Sequence, residues 1–106
     1  MTKVRIEAGA CGFNAVVCVK KDSGRNLHVT IESECGMLRK MAEDIAMLEF
    51  RAPFSVILHN PVYKAASKNL KHASCPVPSA VIKAIEVESG VSLPKKTQII
   101  FMNDDE

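Results

Sequence analysis

The sequence predicts an α+β fold: an antiparallel sheet of about four strands with two or three helices packed on one face. Two observations lead to this class. The first third of the chain alternates apolar and polar residues with a period of two, as half-buried strands do. The segments that follow repeat their apolar residues every three or four positions, as amphipathic helices do. Strands that precede helices, rather than alternate with them, are typical of α+β domains.

Three strands are predicted in the first third of the chain. Val4, Ile6 and Ala8 alternate with charged residues, the segment 14–21 is more continuously apolar, and the segment 27–31 alternates again. The segment 22–26 has the composition of a turn. Because the connections are short, we expect these three strands to form an antiparallel meander.

The middle and end of the chain predict helices and a last strand. Ser33 is expected to cap a helix with an apolar stripe that includes Leu38 and Leu48, and Pro53 is expected to end it. A short strand at 55–59, a weaker helix at 61–70, a third helix that stops at Gly90 and a final strand at 97–102 follow. All 106 residues are expected to form one domain.

Composition narrows the functional classes. The net charge is only +2, and one Tyr with no Trp leaves little for base stacking, so we expect no nucleic-acid partner. The start of the chain is not a signal peptide, and the apolar run 15–19 is too short to cross a bilayer. We therefore expect a cytoplasmic protein with reduced cysteines and no membrane partner, whereas an unknown protein partner remains compatible with the sequence.

Cys75-Pro76-Val77-Pro78 is the most informative segment, because it directly precedes a helix-like run. A residue before proline avoids the α region, and proline fits the first helical turn, so Cys75 is expected at the N-cap. Unpaired amides and the helix dipole stabilise negative charge there. We therefore expect a lowered pKa and a reactive thiolate at Cys75.

Three further residues join Cys75 in a candidate metal site. Cys11 lies between Gly9 and Gly12 at a strand break, and Cys35 lies at the start of the first helix. His72 precedes Cys75 by three residues. Three thiolates and an imidazole match a zinc site or an iron–sulfur cluster site, so we predict that Cys11, Cys35, Cys75 and His72 converge at one end of the sheet. A hairpin corner at Cys11 and a packed thiol at Cys35 are the alternatives.

The remaining features favour no other chemistry. Cys18 lies in an apolar run and is expected to be a buried core residue. The sequence contains no nucleotide-binding glycine loop, no serine-hydrolase motif and no zinc-protease motif. A Cys75/His72 nucleophile pair is conceivable, but the sequence does not favour an enzyme.

Two resemblances add to this interpretation. Cys75-Pro76-Val77-Pro78, opening a helix, resembles the Cys-Pro-x-Pro motif of TusA-like sulfur carriers, over about residues 72–102. That resemblance implies a persulfide carried on Cys75. In that family the motif lies near the N-terminus, whereas here three strands and a helix precede it. The whole chain, with Ala10-Cys11-Gly12-Phe13 early and the Cys75 motif late, resembles a family of short uncharacterised prokaryotic proteins, which implies no activity.

The sequence therefore predicts a small cytosolic protein with a cysteine thiolate site that binds zinc or an iron–sulfur cluster. A TusA-like persulfide carrier that uses Cys75 is the first alternative. A non-catalytic interaction module with buried cysteines is the second.

Overall fold

The computed structural model describes residues 1–105 and confirms the α+β class. Its strands are β1 (Thr2–Glu7), β2 (Asn14–Lys21), β3 (Asn26–Ser33) and β4 (Met47–Glu49). Its α-helices are α1 (Gly36–Asp44), α2 (Pro61–Asn69) and α3 (Val77–Glu88), and short 3-10 helices lie at Gly9–Cys11, Ala52–Phe54 and Ile57–His59. The sheet is antiparallel throughout, in the order β1-β2-β3-β4. No helix within residues 1–105 is long and apolar enough to cross a membrane.

Only one face of the sheet is apolar. The inward side chains of β2 and β3 are fully or almost fully buried, among them Val17, Val19, Leu27 and Val29. Helix α3 packs over β1 and β2, and α1 packs over β3. Both helices therefore lie on the same face, where their apolar sides close a single core.

Cys18 lies on the opposite, open face. Its neighbours across the strands are Lys3 in β1 and Thr30 in β3, and it is half-buried. The prediction that Cys18 is a core residue was therefore wrong. The apolar run 15–19 hides the two-residue period of β2, which turns Val17 and Val19 inward and Cys18 outward.

Three predicted elements differ in the structure. Leu48, expected on the first helix, belongs to β4 and pairs with Leu27, because α1 ends at Asp44. The segment 55–59 contains a 3-10 turn rather than a strand. The segment 97–102 forms no strand, and its apolar side chains are exposed. A β-rich sequence becomes a strand only where a neighbouring strand completes its hydrogen bonds, and this segment pairs with none of the four strands.

Glu88 fixes the direction of α3 across the sheet. One oxygen of its carboxylate, Oε1, accepts a hydrogen bond from the Thr2 hydroxyl at 2.7 Å, and Oε2 accepts one from the Lys21 backbone N–H at 3.0 Å. Thr2 begins β1 and Lys21 ends β2, so both lie at one end of the sheet. The twelve residues of α3 extend about 18 Å, close to the length of β1, so its first turn lies at the opposite end.

Replacing Glu88 by Gln should lower stability in a pH-dependent way. The hydrogen bond from the Lys21 amide lowers the pKa of Glu88; burial opposes this effect, and the Thr2 hydroxyl reinforces it. Because the folded-state pKa is depressed, the ionised carboxylate stabilises the fold at neutral pH, and this contribution is lost as the pH falls through that pKa. We expect Glu88→Gln to lower the free energy of unfolding by about 1–2 kcal/mol at pH 7.

Urea unfolding between pH 3 and pH 7 measures this effect. The difference from the wild-type protein should shrink below about pH 5, where carboxylates begin to protonate. Glu86→Gln is the matched control, because Glu86 is on the same helix but faces a groove beside Tyr63. A Glu88→Gln protein as stable as wild type at pH 7 would show that this carboxylate does not anchor α3.

Candidate functional site

The candidate site lies at the end of the sheet opposite Glu88. There β1 and β3 finish and β2 begins, since Glu7 pairs with Asn14 and Ala15 pairs with Ser33. Three connections meet at this end: the turn from β1 to β2, the loop from β3 to α1, and the loop into α3. Each of them carries one of the predicted cysteine ligands.

Cys11 ends the 3-10 turn between β1 and β2 and is exposed. Gly9 and Gly12 both have positive φ, 78° and 76°, and the Gly12 N–H donates to the Gly9 carbonyl at 3.0 Å. Glycine adopts this conformation without strain, so the two glycines make the tight turn possible. The turn holds Cys11 at the rim of the sheet, where its thiol makes only a long contact of 4.0 Å with the Phe13 carbonyl.

Cys35 is the N-cap of α1 and is half-buried against the core. Ser33, which was expected to cap this helix, instead holds the preceding loop. Its hydroxyl donates to the Asn14 carbonyl at 2.9 Å and accepts from the Cys35 N–H at 3.1 Å. This pair of hydrogen bonds ties the start of α1 to the start of β2.

Cys75 precedes α3 by two residues and is half-buried against the core. The N-cap is Pro76 rather than Cys75, so the predicted cap position was one residue off. The Val77 backbone N–H, the first amide of the helix, nevertheless acts on the Cys75 sulfur and lowers its pKa. One helical amide is therefore directed at the thiol.

The pKa of Cys75 is raised, not lowered as the sequence predicted. Burial is the largest cause; the Val77 hydrogen bond acts in the opposite direction, and repulsion from the Cys11 and Cys35 thiolates raises the pKa further. The N-terminal helix position was expected to dominate, but desolvation of the sulfur outweighs it. Cys11 and Cys35, from two other connections, therefore both lie within electrostatic range of Cys75.

His72 is the fourth predicted ligand, and it lies in the loop that leads into α3. The residue is exposed, and its contact with Cys75 is made by the backbone, where the Cys75 N–H donates to the His72 carbonyl at 3.4 Å. Within residues 1–105, no group of three or more His, Cys, Asp or Glu side chains is arranged to hold a metal ion.

A shallow cleft of about 420 Å³ opens beside the cysteines, and its lining comes from the segments next to Cys11 and Cys35: Gly12, Phe13, Asn14, Ser33 and Glu34. Phe13 leaves 44% of its surface exposed at this cleft. Sequence reasoning did not find this cleft, because its two walls are twenty residues apart in the chain. The one sequence feature that could have indicated the cleft is Phe13, an apolar residue directly after the turn that carries Cys11.

One family model matches nearly the whole chain, and its description is "Family of unknown function (DUF6951)". The match covers residues 2–101. No curated protein matches the chain, and neither does any solved structure.

Removing either neighbouring thiol should lower the pKa of Cys75. In Cys11→Ser and Cys35→Ser proteins we expect Cys75 to titrate below its wild-type pKa, because one source of repulsion is gone, yet still above the ordinary thiol value, because burial remains. The measurement is the rate of iodoacetamide alkylation at Cys75 against pH, read by peptide mass, in metal-free reduced protein.

Cys18→Ser is the matched control, since Cys18 lies on the open face of the sheet and does not act on Cys75. This control should leave the Cys75 titration unchanged. If both Cys11→Ser and Cys35→Ser also leave it unchanged, the three thiols do not interact in solution.

Proposed function

The chain belongs to this family of unknown function, and we propose that Cys11, Cys35 and Cys75 bind a thiolate-ligated metal centre, an iron–sulfur cluster or a zinc ion. The observation that carries the proposal is topological. Three connections that are far apart in sequence meet at one end of the sheet, and each presents a cysteine there.

The electrostatics of Cys75 favour a cation as the binding partner of the three thiols. Two neighbouring thiols oppose the ionisation of Cys75, as does its burial against the core. A cation bound between thiolates reverses this effect, because it stabilises the charged form of every ligand at once. Three thiolates placed together repel one another, so without a cation their ionised form costs free energy. A bound soft metal, which thiolate ligands prefer, makes the same ionised form favourable.

An iron–sulfur cluster fits the arrangement better than a single zinc ion. Zinc draws its ligands to within about 2.3 Å of one centre, and residues 1–105 contain no group already placed for an ion. The thiolates of a cluster bind different iron atoms, so they lie farther apart than the ligands of one ion. Cys11, on an exposed glycine turn, is the ligand most free to adjust. His72 is the candidate for a fourth position, because it lies one turn before Cys75.

A sulfur carrier is the second candidate, favoured by the way the Cys75 motif opens α3 above the sheet. In this function the Cys75 thiolate attacks the outer sulfur of a donor persulfide. A new sulfur–sulfur bond forms at Cys75, the donor's sulfur–sulfur bond breaks, and its electron pair leaves on the donor thiolate, so no external oxidant is needed. The Val77 amide would then stabilise negative charge on the sulfur of Cys75. The raised pKa of Cys75 counts against this function, because less thiolate is present to attack.

Metal analysis of anaerobically purified protein tests the first proposal. We expect iron with acid-labile sulfide and visible absorbance, or else zinc, bound to the wild-type protein. Cys11→Ser, Cys35→Ser and Cys75→Ser should each lower metal content and thermal stability together. Pairs of these substitutions should add little further loss, because the first already breaks the centre. Cys18→Ser, the matched control on the open face, should retain both metal and stability.

The same four variants separate the alternatives. A carrier predicts that only Cys75→Ser abolishes the mass increase of one sulfur after exposure to a persulfide donor, with stability almost unchanged. An interaction module predicts neither bound metal nor sulfur loading in any protein. Equal metal content in the wild-type protein and in all three site variants would reject the metal centre.

A further inference from the structure

Three cationic side chains converge on the ring of Phe50. The Lys21 Nζ lies 5.2 Å from the ring centroid, and the guanidinium carbons of Arg25 and Arg51 lie 4.8 Å and 5.6 Å from it. Each contact is a cation–π attraction. Because all three charges lie within 5.6 Å of one point, they are separated by roughly a Debye length or less and repel one another. We call Lys21, Arg25 and Arg51 the cation cluster.

The fold assembles the cation cluster from two parts of the chain. Lys21 ends β2, Arg25 lies in the turn before β3, and Phe50 and Arg51 directly follow β4. The Phe50 N–H donates to the Arg25 carbonyl at 3.1 Å, which ties the turn to the end of β4. Phe50 is half-buried against the core, whereas the three cationic residues are exposed. The ring is therefore held in place while the charges stay accessible to a ligand.

The acidic residues beside the cluster do not pair with it. Asp22 accepts hydrogen bonds from two backbone N–H groups of its own turn and contacts a histidine ring nitrogen. Glu49 accepts from the Arg51 backbone N–H at 2.9 Å, and Glu88 accepts from the Lys21 backbone N–H at 3.0 Å. Within residues 1–105, no side chain of the cluster forms an ion pair. The three positive charges are therefore left without a bound anion.

The backbone of Arg25 is a second, independent observation. Its φ is 71°, and no other residue among 1–105 except glycines has a positive φ. This conformation costs a residue with a Cβ atom about 1–2 kcal/mol, and glycine adopts it without strain. Strained residues of this kind are concentrated at binding and catalytic sites. Since glycine would form the same turn more easily, the stability of the turn does not explain an arginine at this position.

We propose that the cation cluster binds a phosphate group that carries two or more negative charges. A guanidinium group donates paired hydrogen bonds to phosphate oxygens, and a lysine ammonium adds a point charge. A bound anion of this charge turns the mutual repulsion of the three cations into attraction. The same chemistry fits a free phosphate compound and a phosphorylated lipid headgroup. The cluster lies at the opposite end of the sheet from the cysteines, so the proposal does not depend on the metal centre.

Two probes test the proposal on the full chain. Pyrophosphate represents a free phosphate compound, and its binding is followed by NMR titration of the backbone amides. Vesicles of neutral lipid with phosphatidic acid represent a headgroup, and their binding is measured by co-sedimentation. We expect saturable binding that shifts the amide signals of Arg25, Phe50 and Arg51 and weakens at high salt, because salt screens exposed charges. Binding of pyrophosphate identifies a free phosphate compound as the ligand, and binding to vesicles alone identifies a headgroup.

Matched variants assign the binding to the cluster. Lys21→Gln should weaken it by roughly two- to five-fold. Lys20→Gln removes the same charge from the adjacent residue, but Lys20 lies on the open face of the sheet and should not affect binding. Arg25→Gly should weaken binding as Lys21→Gln does, with little change in the free energy of unfolding, because glycine relieves the strain of the positive φ.

Three results would overturn the proposal. The first is that neither probe binds. The second is that Lys20→Gln weakens binding as much as Lys21→Gln, since binding would then follow the net charge of the protein. The third is that Arg25→Gly lowers stability in urea unfolding and leaves binding unchanged, since the cluster would then serve only to hold the turn against β4.

Discussion

The structure depends on one constraint: only one face of the four-stranded sheet is apolar. Every helix that closes the core must therefore lie on that face, and the connections to these helices must run around the ends of the sheet. The connection from β3 to α1 leaves at the end where β2 begins. Because Glu88 fixes the far end of α3 beside Thr2, the connection into α3 reaches the same end as Cys11 and Cys35. The three connections that carry the cysteines come to one end of the sheet as a consequence of the way the core is covered.

The sequence was sufficient to predict those strands and helices whose local apolar pattern matches the side that the fold buries. In β3, Leu27, Val29 and Ile31 alternate with exposed residues, and the structure buries this set. The prediction for Leu48 was wrong. Leu48 continues the helical spacing of Leu38, Met41 and Ile45, but the chain reverses at the end of α1 and places Leu48 in β4. β4 has only three residues and is a strand because it pairs with β3, and a pairing between distant segments leaves no local pattern in the sequence. The segment 97–102 is the reverse case, a clear strand pattern that pairs with no strand within residues 1–105.

Part of the candidate site could likewise be predicted from local sequence signals, and part of it could not. The boundary positions of the cysteines follow from local signals: Gly9 and Gly12 for the turn, and Pro76 for the start of α3. The direction of the Cys75 pKa shift does not follow from local signals. A helix N-terminus alone predicts a lowered pKa at Cys75, but burial and the approach of two other thiols are tertiary properties, and together they reverse the sign. The carboxylate that sets the direction of α3 belongs to one of several acidic residues in the chain and has no sequence pattern of its own.

The edge of the sheet and its cysteine end are physically continuous, because β1 leads directly into the turn that carries Cys11. Glu7, the last residue of β1, is separated from Gly9 by Ala8 alone. Glu7 also pairs with Asn14, so the turn is closed at both ends by the sheet. The place of Cys11 therefore follows from the register of β1 and β2. The places of Cys35 and Cys75 follow instead from the helices that cover the core, because each residue directly precedes or caps one of those helices.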